Sequence, residues 1–329
     1  MSSHADAEVS YGRAVRRRFG AGARIEAVTH PTLGGANTTV VFDIVHGTTR
    51  RRVVSRQTPT LIGSPFLTGH QQFEVMRAVH AQGLPVPEPL FEYDAVDGLG
   101  EGFVVAFTSG ETLPQRILRS TELARPELAG EIGGLLARLH ACPTEPLGFL
   151  ANVADSCDPI VAQRERMDIY GEHHPAIELG LRWLERHRPP GTAKRLLHGD
   201  FRVGNLLVGA DGVRGVLDWE CSHFGDVHED LGWFCARPWR FSRPELAAGG
   251  LGTRETLRDG YEAAGGVAVD LARVRYWEVF ALTRWAVLNV MQANGHVRGD
   301  RRGLVFAACG RNASLVEYDL LMTLAGDFD

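Results

Sequence analysis

The sequence predicts an α+β chain in two parts, a small antiparallel sheet followed by a larger, mainly helical region. Three observations predict it. The first hundred residues alternate short β-branched runs with glycine-containing turns. Thr108-Ser109-Gly110-Glu111-Thr112 then breaks that pattern. From Leu113 onward most apolar residues recur at helical spacing. A division near Ser109 gives one part of residues 1–108 and another of 109–329.

Glu8 to Phe19 reads as an opening helix, stopped by Gly20 and Gly22. Arg24 to His30 is extended, and Thr32 to Thr39, with Gly34, Gly35 and Asn37, turns tightly into the strand Val40–Val45. His46 to Thr49 turns again before the strand Arg52–Arg56. A glycine loop over one end of such a sheet lets backbone N–H groups approach phosphates without side-chain obstruction. Leu67 to Gln82 is helical, ended by Gly83 and by the run Pro85-Val86-Pro87-Glu88-Pro89. Leu90–Tyr93 and Gly102–Phe107 complete the sheet.

The second part begins with helices over Leu113–Leu118, Glu122–Cys142, Val161–Tyr170 and Pro175–His187, with Gly148–Asp158 as a surface loop. A strand–turn–strand passage follows, then helices over Asp226–Cys235, Thr253–Ala264, Leu271–Asn294 and Arg301–Leu324. The passage carries the chemistry. It reads His198-Gly199-Asp200-Phe201-Arg202-Val203-Gly204-Asn205, turns at Gly209–Gly212, and returns to Val216-Leu217-Asp218-Trp219-Glu220. The two-strand return places Asn205 and Asp218 near one another, with Asp200 in the loop between. Oxygen donors of that kind suit Mg2+, and a third carboxylate beside them takes or orients a hydroxyl proton.

HGDxxxxN followed by LDWE resembles the signature of the aminoglycoside phosphotransferase-like family, relatives of choline kinases and protein kinases. The resemblance covers nearly the whole chain and implies a two-lobe protein kinase-like fold with ATP and Mg2+. It implies Asp200 as the catalytic aspartate, Arg202 on the transferring phosphate or in a salt bridge, and Asn205 and Asp218 as metal ligands. It also implies that Gly34, Gly35 and Asn37 cover phosphates, and that Ala106, Phe107 and Thr108 meet adenine through their backbone. His198 is a packed scaffold residue on this reading, and a buried Asp230 accepts the N–H groups of the catalytic loop. The usual strand lysine is absent: the chain has a single lysine, Lys194, so Arg56 takes that place. Counting back from Pro85 puts Gln72, on an inward stripe with Val75, Met76 and Val79, opposite Arg56; Glu74 is the alternative partner.

Composition narrows the function further. With 329 residues, 44% hydrophobic and 23% charged, the chain has an ordinary globular make-up. A formal charge of −5 argues against a nucleic-acid surface. No apolar run reaches the roughly 20 residues that span a bilayer, so no membrane partner is expected. Five scattered cysteines without CxxC spacing fit reduced thiols and a cytoplasmic protein, as monomer or homodimer. The expected function is an O-kinase moving the γ-phosphate of ATP to a hydroxyl of a small metabolite. GTP use, a catalytically weak nucleotide-binding pseudokinase and an aminoglycoside kinase stand as alternatives. Pro238-Trp239-Arg240-Phe241 with the Gly249-Gly250 loop, and Glu278 accompanied by Arg240, Arg275, Arg284 and several aromatics, are candidates for the acceptor cleft, whose arginines and tryptophans suit a neutral or anionic acceptor better than a polycationic sugar.

Overall fold

The computed structural model describes residues 4–31, 38–58, 65–300 and 303–328. The chain has the two-lobe α+β kinase-like fold and divides into two compact units. One comprises Met1–Gly110 with Arg214–Cys221, the other Glu111–Val213 with Ser222–Asp329. A single cut near Ser109 does not express the return of 214–221 to the first unit.

The first unit opens with α1 (His4–Phe19) and a sheet of β1 (Arg24–Thr29), β2 (Thr38–His46) and β3 (Thr49–Gln57). After α2 (Gly69–Ala81) come β4 (Pro89–Glu92) and β5 (Gly102–Ala106), giving the spatial order β1-β2-β3-β5-β4, antiparallel throughout. Strand alternation buries Val40, Phe42 and Ile44 on one face, where Tyr11, Ala14 and Val15 of α1 pack against them. Arg56 lies opposite Phe103 across the β3–β5 pair. A Cβ at Gly102 would stand 2.4 Å from the Arg56 carbonyl, so glycine is what lets β5 close on β3 there. Helix α2 starts in a capping box between Thr68 and Gln71 and buries Gln72, Phe73, Val75, Met76 and Val79, the expected inward stripe.

The second unit holds α3 (Pro114–Arg119), α4 (Leu128–His140), α5 (Ala154–Cys157), α6 (Pro159–Tyr170) and α7 (Pro175–Arg186). Short strands β6 (Arg195–Leu197) and β7 (Leu206–Gly209) flank the candidate catalytic loop, followed by β8 (Gly212–Val216), which crosses into the first unit. Then come β9 (His223–Gly225), α8 (Val227–Cys235), α9 (Arg254–Ala263), α10 (Leu271–Arg298) and α11 (Leu304–Ala325). The core gathers Ile177, Leu181 and Leu184 of α7, Trp277, Phe280 and Val287 of α10, and Val316 and Leu320 of α11.

The segment expected as a surface loop over Gly148–Asp158 is partly helical instead. A 3-10 stretch spans Glu145–Asn152 and runs into α5, burying Leu147 and Leu150. Turns this short end before a helical period can show in the sequence. Among the described residues, no helix is long and apolar enough to cross a membrane.

Candidate active site

Strand β6 delivers the chain to His198, which is fully buried with its ring edge-on to Phe201 at 5.7 Å between centroids. Gly199 has φ 77°, a left-handed turn that glycine makes without steric cost. The turn aims two successive N–H groups at one carboxylate. His198 N donates to Asp230 Oδ2 at 2.8 Å, and Gly199 N to Asp230 Oδ1 at 2.9 Å. Asp230 stands in the first turn of α8 and is fully buried. Burial opposes its charge, but the His140 hydrogen bond (3.2 Å) and the nearby His140 and His198 rings more than offset this and hold its pKa below the ordinary value. From α10, the buried Arg284 donates to the Gly199 carbonyl at 2.6 Å. The brace that the family resemblance implied for Asp230 is therefore present.

The Asp200 carboxylate is gripped by three donors. Trp233 Nε1 reaches Oδ1 at 3.0 Å, and Arg202 Nε reaches Oδ1 at 3.1 Å and Oδ2 at 3.4 Å. Asn205 Nδ2 reaches Oδ2 at 2.7 Å and the Asp200 carbonyl at 2.8 Å. Two carboxylate oxygens offer about four acceptor positions, and the weakest contact, Arg202 Nε on Oδ2 at 3.4 Å, is the one a further donor could displace. Fixing Nδ2 twice also fixes the other end of the Asn205 amide. Its Oδ1 is buried and has no hydrogen-bond partner among the described residues. A buried carbonyl oxygen of that kind costs free energy unless something electropositive meets it, and a hard cation fits.

Arg202 is in the salt bridge rather than extended away from it. Its guanidinium also lies 5.1 Å from the centroid of Trp239, which packs on Trp233 and Trp285. Beside Asp200, then, stands a tryptophan cluster. Sequence reasoning missed the Trp233 bond, though a signal existed: Asp230 and Trp233 are three apart on α8 and share a face.

In the first unit, Asp218 has φ 62°, a left-handed conformation uncommon for a residue with a side chain. The segment around it is tied down by Val216 N to the Pro85 carbonyl (2.8 Å), Leu67 N to the Glu220 carbonyl (2.8 Å) and Trp219 Nε1 to the Val216 carbonyl (3.0 Å). Its carboxylate forms an ion pair with Arg56. Burial works against the guanidinium's charge, but Asp218, with Glu220 behind it, more than compensates and raises the Arg56 pKa. Arg56 Nε is buried without a hydrogen-bond partner among the described residues.

Several sequence expectations need correction here. The Arg56–Gln72 contact is replaced by Arg56–Asp218. The Gln72 amide donates to the Leu67 carbonyl at 2.9 Å, closing the start of α2, and Glu74 pairs with Arg77 on the outer face. The reason is charge: for a guanidinium, a carboxylate outcompetes a neutral amide that already has a local acceptor. Arg240 and Glu278, with Arg237, Arg254 and Arg275, line a small pocket, and they are tied to one another there. Glu278 is buried and bonded to Arg240 (3.0 Å) and Arg254 (2.5 and 2.8 Å), while Arg240 Nε satisfies the Cys235 carbonyl at 2.9 Å. Arg284 serves the loop from below, as described.

Of the remaining sequence candidates, Ala106 N and Phe107 N donate to the carbonyls of Glu88 (2.9 Å) and Arg52 (3.0 Å). Those two N–H groups are thus engaged internally, and Thr108 N carries no backbone partner among the described residues. Gly34, Gly35 and Asn37 lie outside the described residues. Donor atoms of His70, Glu74 and Glu92 gather within 4.8 Å on the surface, but His70 is bonded to Glu92 and Glu74 to Arg77.

Comparison with known proteins adds the following. Residues 31–277 match the profile of the phosphotransferase enzyme family. Acyl-CoA dehydrogenase family member 11 of Gallus gallus is 30% identical over 177 residues, covering 50% of this chain but only 22% of that protein. A crystal structure of a putative aminoglycoside phosphotransferase from Ralstonia eutropha JMP134 superposes with a TM-score of 0.71 at 20% identity, covering 98% of both chains. Spectinomycin phosphotransferase in complex with ADP and spectinomycin superposes at 0.65 with 12% identity, covering 96% of this chain and 98% of that one. At such identities the structural likeness speaks for the fold.

Proposed function

The chain belongs to the phosphotransferase enzyme family, and on that premise we propose that it is an ATP-dependent, Mg2+-requiring O-kinase whose acceptor is a hydroxylated acyl compound. The observation that carries the kinase reading is the Asp200 carboxylate, held by Trp233, Arg202 and Asn205 with the Asn205 Oδ1 buried and without a hydrogen-bond partner among the described residues. We assign Asn205 Oδ1 and the Asp218 carboxylate to the metal. Bound there, Mg2+ would neutralise phosphate charge during transfer. Asp200 Oδ2 takes the hydrogen bond of the acceptor hydroxyl and orients its oxygen for in-line attack. Trp233 and Asn205 keep that carboxylate from rotating. Arg202, anchored on Asp200 and stacked by Trp239, holds positive charge beside the attacking group, where negative charge develops. Arg56 replaces the strand lysine toward phosphate oxygens, with Gly34, Gly35 and Asn37 as phosphate cover. Thr108 offers its N–H, with the carbonyls of Ala106 and Phe107, to the base. Phosphoryl transfer asks mainly for such positioning and charge stabilisation. The nucleotide found with spectinomycin phosphotransferase supports ATP as donor.

Two observations support the acyl acceptor. The matched relative is an acyl-CoA dehydrogenase family member in which this chain's counterpart is a minor part, so a phosphotransferase joined to that chemistry has acyl metabolites at hand. The tryptophans packed beside Asp200 make its surroundings apolar, with Trp285 half-buried, and Arg202 gives a cation. Both suit an anionic, partly apolar hydroxy compound better than a polycationic sugar. The test is ATP consumption by purified protein across a metabolite library that includes hydroxy acids, their thioesters and kanamycin-type sugars. Turnover confined to hydroxyacyl compounds is expected. Efficient phosphorylation of an aminoglycoside, with kcat/KM on the order of 10⁴ M⁻¹s⁻¹ or better, would overturn the acceptor assignment.

A further inference from the structure

Arg237, in the turn after α8, lays its guanidinium on the Phe328 ring, 3.6 Å from the centroid. Stacking occupies the face of that planar group and leaves its edge, where five N–H bonds lie, to other partners. Among the described residues the Arg237 side chain makes no hydrogen bond; Asp319 stands 3.5 Å from Nε as an ion pair only. Burial pushes the Asp319 carboxyl above its ordinary value against the pull of Arg237 and Arg240, which makes it a weak counter-ion. Three more arginines join Arg237. Arg240 from the same turn, Arg254 from the start of α9 and Arg275 from α10 line one small pocket with it, together with Glu278, Leu282 and Phe328. Glu278 answers Arg240 and Arg254. Even so, burial and the charges of Arg254 and Arg237 outweigh Glu278 and hold the Arg240 guanidinium below its ordinary value. The pocket is open at its Arg237 and Arg275 side: Arg275 is exposed, and Arg237 keeps 30% of its side-chain surface.

We propose that this pocket binds one oxyanion, a carboxylate or a phosphate group, in the fork of Arg237 with Arg240 and Arg275 around it. Two N–H bonds along one edge of a guanidinium match two oxygens of either group. The Phe328 ring fixes the plane of the fork beforehand, so little side-chain freedom is lost on binding. Leu282 and Phe328 add apolar surface to the lining, which suits an anionic group carried on a hydrocarbon as well as a free ion. A polycation is repelled by the same four arginines. Trp239, one residue before Arg240, carries Arg202 of the Asp200 loop on its ring. The pocket therefore adjoins the aromatic cluster beside Asp200. It rests on charge and shape, and stands whether or not the chain transfers phosphate.

Calorimetric titration of the purified chain with sodium phosphate and, separately, with sodium butyrate tests the site. Sodium chloride holds the ionic strength constant, because screening alone changes with salt. Saturable binding of at least one of the two anions is expected, with a dissociation constant of about 1 mM. Phosphate alone marks a site for phosphate groups, butyrate alone a site for carboxylates, and both together a general oxyanion site. Arg237→Gln removes the fork at a partly exposed position and is expected to weaken binding by about tenfold or more. Arg275→Gln, at an exposed position where exchange leaves the fold in place, is expected to weaken it by about threefold or more. Arg56→Gln, in the first unit, is expected to bind as the wild type does, which separates this pocket from the nucleotide site. Heat without saturation for both anions overturns the proposal. So does wild-type affinity in both Arg237→Gln and Arg275→Gln, or a loss of binding in Arg56→Gln. Binding is read here without turnover, so a failure of this site and a failure of the kinase assignment remain separate results.

Discussion

Asp200 and Asp218, the two aspartates assigned to phosphate chemistry, are held in opposite ways. The Asp200 loop is bonded from three sides: Asp230 takes two of its N–H groups, Arg284 its Gly199 carbonyl, and Trp233, Arg202 and Asn205 its carboxylate. Asp218 stands in a left-handed conformation and gives its carboxylate to Arg56, a cation that phosphate oxygens also attract. A group that must meet the reacting hydroxyl in one orientation gains from being fixed beforehand. A group that must receive a metal and its nucleotide gains from a partner it can share. The contrast is between preorganisation and exchange.

The largest effect should come from the preorganised side. Asp200→Asn keeps the shape of the side chain but brings an amide N–H against donors that now point at a carboxylate. Turnover is expected to fall by about 100-fold or more, with Mg2+–nucleotide binding nearly intact. Comparable phosphorylation by wild type and variant would sink the assignment of Asp200.

Next comes the exchangeable side. Asp218→Ala should abolish the Mg2+-dependent part of ATP affinity, a loss of about tenfold or more, and leave the metal-free affinity little changed. Titration calorimetry decides. Equal wild-type affinity with and without Mg2+ would favour a nucleotide-binding protein without turnover, and the Arg56–Asp218 pair would then be a permanent bolt.

What the sequence made legible divides along the same line. The sheet, its strand order of turns and the long helices follow from periodicities of two and 3.6, which survive any tertiary detail. The contacts of the loop around Asp200 were legible because Asp200, Arg202 and Asn205 fall at short, fixed spacing, and Asp230 lies at the start of a helix whose cap, Asp226, is plain in the sequence. Contacts between distant positions were not legible. Nothing local says that Arg56 pairs with a residue 162 positions away, and Gln72 looked like its partner only because it faces inward. Arg284 looked like part of an acceptor wall because buried and cleft-lining charges have the same spelling; only its partner, the Gly199 carbonyl, tells it apart.

Trp233 sharpens the comparison with the smallest change. The side chain is buried and contributes two separable things: an aromatic face, 5.0 Å from the Arg284 guanidinium, and one N–H on Asp200 Oδ1. Trp233→Phe keeps a ring for Arg284 and removes the N–H. A hydrogen bond to a charged group contributes about 1.5–3 kcal/mol, part of which Arg202 retains on the same oxygen. Turnover should therefore drop by about tenfold, while the dissociation constant for Mg2+–ATP stays as it is, since Trp233 contacts the aspartate and not the groups assigned to the metal. The split between the two measurements is what matters. A fall in both would mean that the ring holds the fold of α8 rather than the carboxylate. Unchanged turnover would mean that Asn205 and Arg202 suffice to hold Asp200, and that its grip is redundant.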